Sequence, residues 1–232
     1  MKAMFMSDLQ VAKKYLIQQL IVALLVGCII GFTTESLYLI VPMLTVVIPF
    51  SLAFTIIAYD ERGDWQQFRL ALPLSRADVI AGRYASIAAL VLIGAAIGLV
   101  LTGLIVVGGQ SALDGMVPPT LFEELSWQGI ALATALGIAI ILFMLSVTLP
   151  LVSRFGMTKA VRYLPLAMVL IALFVFASGQ EFQLPPFVVD FIYWASTPTG
   201  TVVVAAAIVG VAVIIYLLST LLSIKLYAKR EL

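Results

Sequence analysis

The sequence is poor in the residues that most enzymes need. Its 232 residues include no histidine, one cysteine and only 11% charged residues. Metal and haem centres rely mainly on histidine, cysteine and clustered carboxylates, so a metal or haem enzyme is not expected. The lone Cys28 also excludes an intramolecular disulfide. Composition therefore points away from catalysis by this chain.

Charge is also absent from long stretches, whereas a soluble domain carries about 25% charged residues distributed over its surface. A helix needs roughly 20 apolar residues to cross a bilayer, and the runs lack the alternation of a barrel strand. Without ionisable groups inside these runs, neither a proton relay nor an intramembrane protease is expected. The sequence predicts six transmembrane helices, at residues 16–34, 37–59, 84–108, 127–152, 163–179 and 200–222.

The distribution of basic residues predicts the orientation. All 13 lysines and arginines fall before span one, between spans two and three, between spans four and five, or after span six. The loops on the opposite side of the membrane contain acidic residues but no lysine or arginine. Because cytoplasmic loops are enriched in lysine and arginine, both termini are expected in the cytoplasm. The predicted fold is an all-α polytopic membrane protein, with residues 1–232 forming a single transmembrane domain.

The first fifteen residues have an amphipathic pattern. Apolar Met4, Phe5, Leu9 and Ala12 alternate at helical spacing with polar Lys2, Ser7, Asp8 and Lys13. This pattern favours an interfacial helix over residues 1–15 that precedes the first span. The alternative is a disordered tail containing a few apolar residues.

The loop between spans two and three predicts a short surface helix, then a break, then a second helix that continues into span three. Aromatic and apolar residues alternate with charged ones up to Leu72, and Pro73 disfavours helix in the residue before it. Ser75 is then expected to cap a new helix, with Asp78 three residues later forming a pair like a capping box. On the other face, prolines and aromatics in residues 180–199 indicate an interfacial or re-entrant segment.

The phosphate-binding pattern G-x-x-x-x-G-K-[ST] is missing from the sequence. Uphill transport by this protein would therefore need energy from another chain. ATP and Mg²⁺ would be bound by that partner, and no cofactor is expected in this chain.

The loop sequence carries a family resemblance. Tyr59-Asp60-Glu61-Arg62-Gly63-Asp64-Trp65, then Leu72-Pro73-Leu74-Ser75-Arg76 and Gly82-Arg83-Tyr84, resembles the first cytoplasmic loop of type-2 permeases of ATP-binding cassette (ABC) exporters. The six-span layout is similar too, and the variant with Trp65 is most similar to small bacterial permeases that export amphipathic peptides. Arg83 departs from the family's commonest pattern, which has lysine there.

The resemblance implies a permease subunit that moves a hydrophobic or amphipathic cargo (peptide, lipid or drug) outward across the plasma membrane of a bacterium. Its partners would be a separate nucleotide-binding ATPase subunit, a second permease copy and membrane lipid, without nucleic acid. The alternative is a non-transporting membrane protein whose loop recruits or senses a cytoplasmic partner.

By the same resemblance, residues 61–72 would form the coupling helix that docks on the ATPase. The residues expected to make this contact are Glu61, Arg62, Asp64, Trp65, Phe68 and Arg69. Charges would fix the orientation and aromatic side chains would anchor it. Alternatively, the arginines only set topology and Trp65 only marks the membrane surface.

Span two contains prolines with hydroxyl residues nearby, which is typical of a kinked helix. The residues expected to line a pathway are Thr45, Pro49, Ser51 and Thr55; in the resembled family, spans two and five face the dimer axis. Packing of a kinked helix against its neighbours is the open alternative. In span three, Gly94, Gly98 and Thr102 share one face and predict close helix packing.

Overall fold

The computed structural model describes residues 2–34, 37–61, 75–112, 126–156 and 186–228, and these contain helices but no β-strand. The elements are α1 (Lys2–Thr34), a 3₁₀ turn (Leu37–Leu39), α2 (Ile40–Glu61), α3 (Arg76–Ala112), α4 (Trp127–Phe155), α5 (Pro186–Ala195) and α6 (Pro198–Ala228). The all-helical prediction is confirmed for this part of the chain.

Five of the described helices, α1–α4 and α6, are long and apolar enough to cross a membrane. They contain the predicted spans at 16–34, 37–59 (which begins in the 3₁₀ turn), 84–108, 127–152 and 200–222. The predicted span at 163–179 lies outside the described residues. The sixth span and the cytoplasmic position of the termini remain predictions.

Helix α1 differs from the sequence prediction in the burial of Asp8. It runs unbroken from Lys2 to Thr34 and contains a stretch, Met4–Gly27, that is long and apolar enough to cross a membrane. Asp8 was expected on the polar face, but it is only 2% exposed and lies on a buried stripe with Met4 and Ala12. Because these three positions are spaced four residues apart, they lie on one face of the helix. Asp8 can be buried on this face because its carboxylate has partners in the bundle. The interfacial location of residues 1–15 stays a prediction.

Helix α2 lies at the centre of the described bundle. Leu44, Ile48, Leu52 and Ile56 recur every fourth residue and form a buried cluster with α1 and α3. Ala53 and Ile57 belong to a second cluster, which joins α2 to α3, α4 and α6. Both faces of α2 are therefore covered by protein, as expected for a helix that is apolar all round.

Helix α6 has its apolar side outward. Val211, Ile214 and Leu218 are more than half exposed, whereas Ser219 and Ser223 are buried. In water this arrangement would be unfavourable. In lipid it is favourable, because the tails are as apolar as the exposed side chains while polar groups need partners inside the bundle.

The predicted outer segment at 180–199 contains helix α5. Phe191, Tyr193 and Trp194 of this helix are all exposed, and the ring centroids of Phe191 and Trp194 lie 5.8 Å apart. A turn at residues 196–197 separates α5 from α6. Exposed aromatics suit a membrane interface, where an amphipathic ring has both apolar and polar surroundings; that location remains a prediction.

Candidate functional site: the loop end of the helix bundle

The chain between α2 and α3 is the candidate site, and the structure describes both of its ends. Glu61 is the last residue of α2, and Ser75 precedes the first residue of α3. The other predicted coupling residues, Arg62, Asp64, Trp65, Phe68 and Arg69, lie outside the described residues. Their role in docking is therefore a prediction, as is that of Glu61.

The start of α3 is capped as the sequence predicts. The Ser75 hydroxyl oxygen accepts a hydrogen bond from the backbone N–H of Asp78 at 3.0 Å, and the Ser75 carbonyl accepts one from Val79 at 3.2 Å. The hydroxyl donates in turn to the Asp78 carboxylate at 2.6 Å. Such a cap satisfies donors that a helix N-terminus leaves free, and the carboxylate complements the helix dipole. The cap thus fixes the position at which the chain leaves the loop and α3 begins.

A buried ionic cluster closes the base of the loop. The Arg83 guanidinium, on α3, contacts the carboxylate of Asp60, the next-to-last residue of α2. Arg83 Nε lies 3.9 Å from Asp8 Oδ2 on α1. The side chains of Arg83, Asp60 and Asp8 are only 13%, 9% and 3% exposed. The cluster joins three helices at one end of the bundle.

Ser86 completes this cluster, since its hydroxyl lies 2.9 Å from Asp8 Oδ2 and 2.8 Å from the carbonyl oxygen of Arg83. A buried carboxylate is stable only where charges or donors compensate it, and the arginine and hydroxyl supply this compensation. Asp8 is therefore held against α3 by both a charge and a hydroxyl.

A second polar group lies on the other side of α3, around Tyr84. The Tyr84 hydroxyl is 2.7 Å from Ser223 Oγ and 2.9 Å from Ser219 Oγ, both on α6. The Tyr216 hydroxyl donates to the Tyr84 carbonyl at 2.9 Å, and the two rings lie 4.9 Å apart. Ser219 Oγ donates to the Ser146 carbonyl of α4 at 2.7 Å. This network links α3, α4 and α6.

Neither group is apparent from the sequence pattern, in which Asp60 and Arg83 belong to the loop motif and Asp8 lies on the polar face of an amphipathic segment. The sequence does contain a signal for the Asp60–Arg83 ion pair. The two residues lie next to the facing ends of two successive spans, and ends joined by a short connection lie close together. The tyrosine and serine contacts join positions 135 and 139 residues apart, for which no local pattern exists.

The predicted pathway residues on α2 fall into two environments. Thr45 is fully buried, with its hydroxyl donating to the Val41 carbonyl at 2.7 Å, and Pro49 is also buried. Ser51 and Thr55 are partly buried and donate to the carbonyls of Ile48 and Ser51 at 3.2 and 2.8 Å. The structure thus places Thr45 and Pro49 at helix contacts within one protomer; pathway lining by the four residues remains a prediction.

Close packing explains why Thr45 and Pro49 are covered. A Cβ at Gly94 would lie 3.0 Å from Cδ of Pro49, and a Cβ at Gly98 would lie 3.2 Å from the Val41 carbonyl oxygen. A Cβ at Gly137 of α4 would lie 2.7 Å from the Cα of Pro42. Small residues let membrane helices approach this closely, which confirms the predicted packing role of the α3 glycines.

No group of three or more potential metal ligands lies among the described residues. The described residues instead form a capped helix N-terminus, an ionic cluster and a network of hydroxyl groups, all at one end of a helix bundle with an apolar exterior. Such an arrangement can hold helices together and pass on movement.

Comparison with known proteins gives one family match. Residues 3–228 match the family described as ABC-2 family transporter protein. No curated protein and no solved structure matches the chain. Because the match spans nearly the whole sequence, this protein belongs to the ABC-2 transporter family, whose members are membrane permease components of ABC transporters rather than their ATPases.

Proposed function

We propose that this protein is the permease subunit of an ATP-driven exporter, which moves a hydrophobic or amphipathic cargo outward across the bacterial plasma membrane. Two copies pair, and two separate ATPase subunits dock on the cytoplasmic side. ATP and Mg²⁺ bind to those subunits. Movement of the ATPases is passed through the loop between α2 and α3 to the membrane helices.

The ion pair at the base of the loop carries this proposal. A coupling element has to be attached firmly to the spans that it moves, since a slack loop would absorb the displacement. Asp60 directly precedes Glu61, and its contact with Arg83 ties the end of α2 to α3. The Ser75 cap fixes the other end of the loop. Both attachments support a mechanical role for residues 61–72.

Within the loop, we assign contact with the ATPase to Glu61, Arg62, Asp64, Trp65, Phe68 and Arg69. Aromatic side chains make strong interface anchors when they fill a partner's pocket, and charges around them set orientation and discriminate between partners. Trp65 is the proposed principal anchor. The charged residues determine which ATPase is accepted.

The proposed pathway lies along α2. Ser51 and Thr55 are partly exposed in a single protomer, which suits a surface facing a second copy. Thr45 and Pro49 are covered by α3 and α4 and would reach the cargo only when these helices separate. Weakly polar hydroxyls without charge suit an amphipathic or hydrophobic cargo better than an ion, because ion sites inside membranes use ionisable side chains or carbonyls.

Co-purification tests the proposal. A tagged chain, expressed in its native cell and extracted in mild detergent, is expected to retain a nucleotide-binding ATPase subunit. The double variant Glu61→Arg, Trp65→Ala should lose the ATPase while inserting into the membrane normally. Arg154→Glu is the matched control, because Arg154 is exposed near the end of α4 and outside the loop. Retention of the ATPase by the double variant would contradict the coupling assignment.

A second measurement separates transport from recruitment. Permease and ATPase are reconstituted in liposomes, and ATP hydrolysis is measured with an amphipathic helical peptide, a fluorescent lipid or a hydrophobic dye. An exporter shows hydrolysis stimulated by one of these cargo classes, together with ATP-dependent movement of the probe. Binding of the ATPase without stimulation or movement by any probe would favour the alternative, a membrane protein that only recruits a cytoplasmic partner.

A further inference from the structure

Two consecutive residues of α3 bond to opposite sides of the bundle. Successive positions on an α-helix differ by about 100° in direction, because one turn takes 3.6 residues. Arg83 accordingly reaches α1 and α2, while Tyr84 reaches α6. Through Ser219, the network extends to α4. Arg83 and Tyr84 thus connect α3 to each of the other four long helices that the structure describes.

The Arg83 side uses interactions that are costly to bury. Taking two carboxylates and a guanidinium out of water has a large desolvation penalty for each ion, so a buried ionic cluster is weak evidence for stability. Apolar residues would hold three membrane helices together with less penalty. What the ionic contacts add is a specific connection between three helices, since one guanidinium on α3 pairs with a carboxylate on α1 and with another on α2.

The Tyr84 side uses hydrogen bonds, which are directional. Its hydroxyl meets two serine hydroxyls on α6, and its carbonyl accepts the Tyr216 hydroxyl. Hydrogen bonds between membrane helices contribute little net stability on average. They do restrict how one helix can slide or rotate against another. Both sides of the pair therefore provide geometric constraint more than stability.

The pair also lies close to the loop. Helix α3 runs without interruption from Arg76 to Tyr84, a distance of about 12 Å at 1.5 Å per residue. This short rigid segment starts at the Ser75 cap and ends at the two bonding residues. On the α2 side, Asp60 is adjacent to the loop itself. A displacement of the loop thus reaches Arg83 and Tyr84 by two short, stiff routes.

We propose that Arg83 and Tyr84 form a transmission hub, which converts displacement of the loop into a joint movement of α1, α2, α3, α4 and α6. The hub residues are positioning residues and do not contact cargo or nucleotide. The source of the displacement rests on the proposed function. The mechanical connection between the helices does not, so the two ideas can be tested separately.

The first test uses the full chain without a partner. In a Cys28→Ser background, spin labels are placed on exposed positions of α1 and α6, at Lys13 and Ala228. Double electron–electron resonance then gives the distribution of distances between the two spin labels in lipid nanodiscs. Tyr84→Phe should broaden this distribution, and Arg83→Met should broaden it further. Tyr193→Phe and Arg154→Met, at exposed positions, should leave it unchanged.

The second test uses the complex with its ATPase. Labels at Leu39 and Val202, which are exposed and lie at the bundle end away from the loop, report movement there when a non-hydrolysable nucleotide is added. The unsubstituted hub should give a clear nucleotide-dependent shift. Tyr84→Phe should reduce the shift, and Arg83→Met should abolish it, while the ATPase still co-purifies because the loop is intact.

The outcomes separate the two ideas. A full shift in both Arg83→Met and Tyr84→Phe would overturn the hub, as would unchanged distance distributions in both variants of the isolated chain. If no ATPase binds the unsubstituted chain, the proposed function fails, and the isolated-chain distances still decide the hub. If Arg83→Met does not fold, Tyr84→Phe and Ser219→Ala decide it in both tests, because each removes only a hydroxyl.

Discussion

The two ends of the α2–α3 pair are held together by opposite means. At the loop end, long charged and polar side chains bridge the helices through Asp60, Arg83 and Tyr84. At the other end, α3 and α4 approach α2 through glycines, with almost no side chain between the backbones. One end depends on charge and direction, and the other depends on volume.

This difference shows how a bundle in lipid can combine close fit with movement. Contacts between glycines and prolines are short and shape-dependent, and packing is the main attraction between helices in lipid. Ionic contacts can keep helices connected over a range of small displacements, because Coulomb energy falls off slowly with distance. We therefore expect removal of charge to be most damaging at the loop end, and added volume to be most damaging at the glycine end.

The largest expected effect comes from removing the charge at the loop end. Arg83→Met leaves Asp8 and Asp60 buried without their shared cation and should lower the free energy of unfolding by about 3–5 kcal/mol. Arg154→Met, which removes an exposed arginine, is the matched control and should change it little. Equilibrium denaturation in mixed micelles measures both. Equal stability of the two variants would show that the ionic cluster does not hold the loop end.

A smaller effect is expected from adding volume at the glycine end. Gly137→Ala places a methyl group against the backbone of Pro42 and should cost about 1–3 kcal/mol through overpacking. Gly210→Ala is its control, because a Cβ there meets nothing within 4 Å, and alanine should stabilise the helix by up to about 1 kcal/mol. The same denaturation assay distinguishes them. A neutral Gly137→Ala would mean that the glycine end is less tightly packed than the structure has it.

Removing a single hydroxyl from the loop end should matter less. Tyr84→Phe keeps the ring contact with Tyr216 but loses the bonds to Ser219 and Ser223, at a cost of about 1–2 kcal/mol. Tyr193→Phe removes an exposed hydroxyl and should cost almost nothing. If the two variants unfold at the same denaturant concentration, the network restricts geometry without adding stability, which would sharpen the contrast with the ionic cluster.

The smallest effect compares a cap from each end. Ser75→Ala and Ser126→Ala each remove a hydroxyl that accepts a backbone N–H, from Asp78 and Gly129 respectively, both at 3.0 Å. Each should cost about 0.5–1 kcal/mol, since exposed caps lie at the lower end of measured values. Ser75→Asp and Ser126→Asp should recover most of it. A loss confined to Ser126 would indicate that the loop, rather than the cap, fixes the start of α3.

Much of the fold follows from local patterns. Uncharged runs long enough to cross a bilayer predicted the helices that contain spans one to four and six. The Ser75–Asp78 pair predicted the start of α3, and the spacing of Gly94 and Gly98 predicted a packing face. These are short-range signals that depend on helix geometry and the exclusion of charge from lipid. The loop motif predicted the family, which the match over residues 3–228 confirms.

Local patterns failed where a polar residue found a distant partner. Asp8 has the spacing of a surface residue on an amphipathic helix, and only its contacts with Arg83 and Ser86 make its burial favourable. Likewise, no local pattern shows that glycines on two other helices pack against Thr45 and Pro49 in a single protomer. In both cases, the contacts are made by residues of other helices, far away in the chain.

The sequence by itself determined that this protein is a multi-pass set of membrane helices of the ABC-2 transporter family, because hydrophobic length and the loop motif are local properties. Only the tertiary structure decided that Arg83 and Tyr84 join five helices at the end that carries the loop. Long-range pairing of charges and hydroxyls depends on which helices become neighbours, and no local period of the sequence encodes that choice.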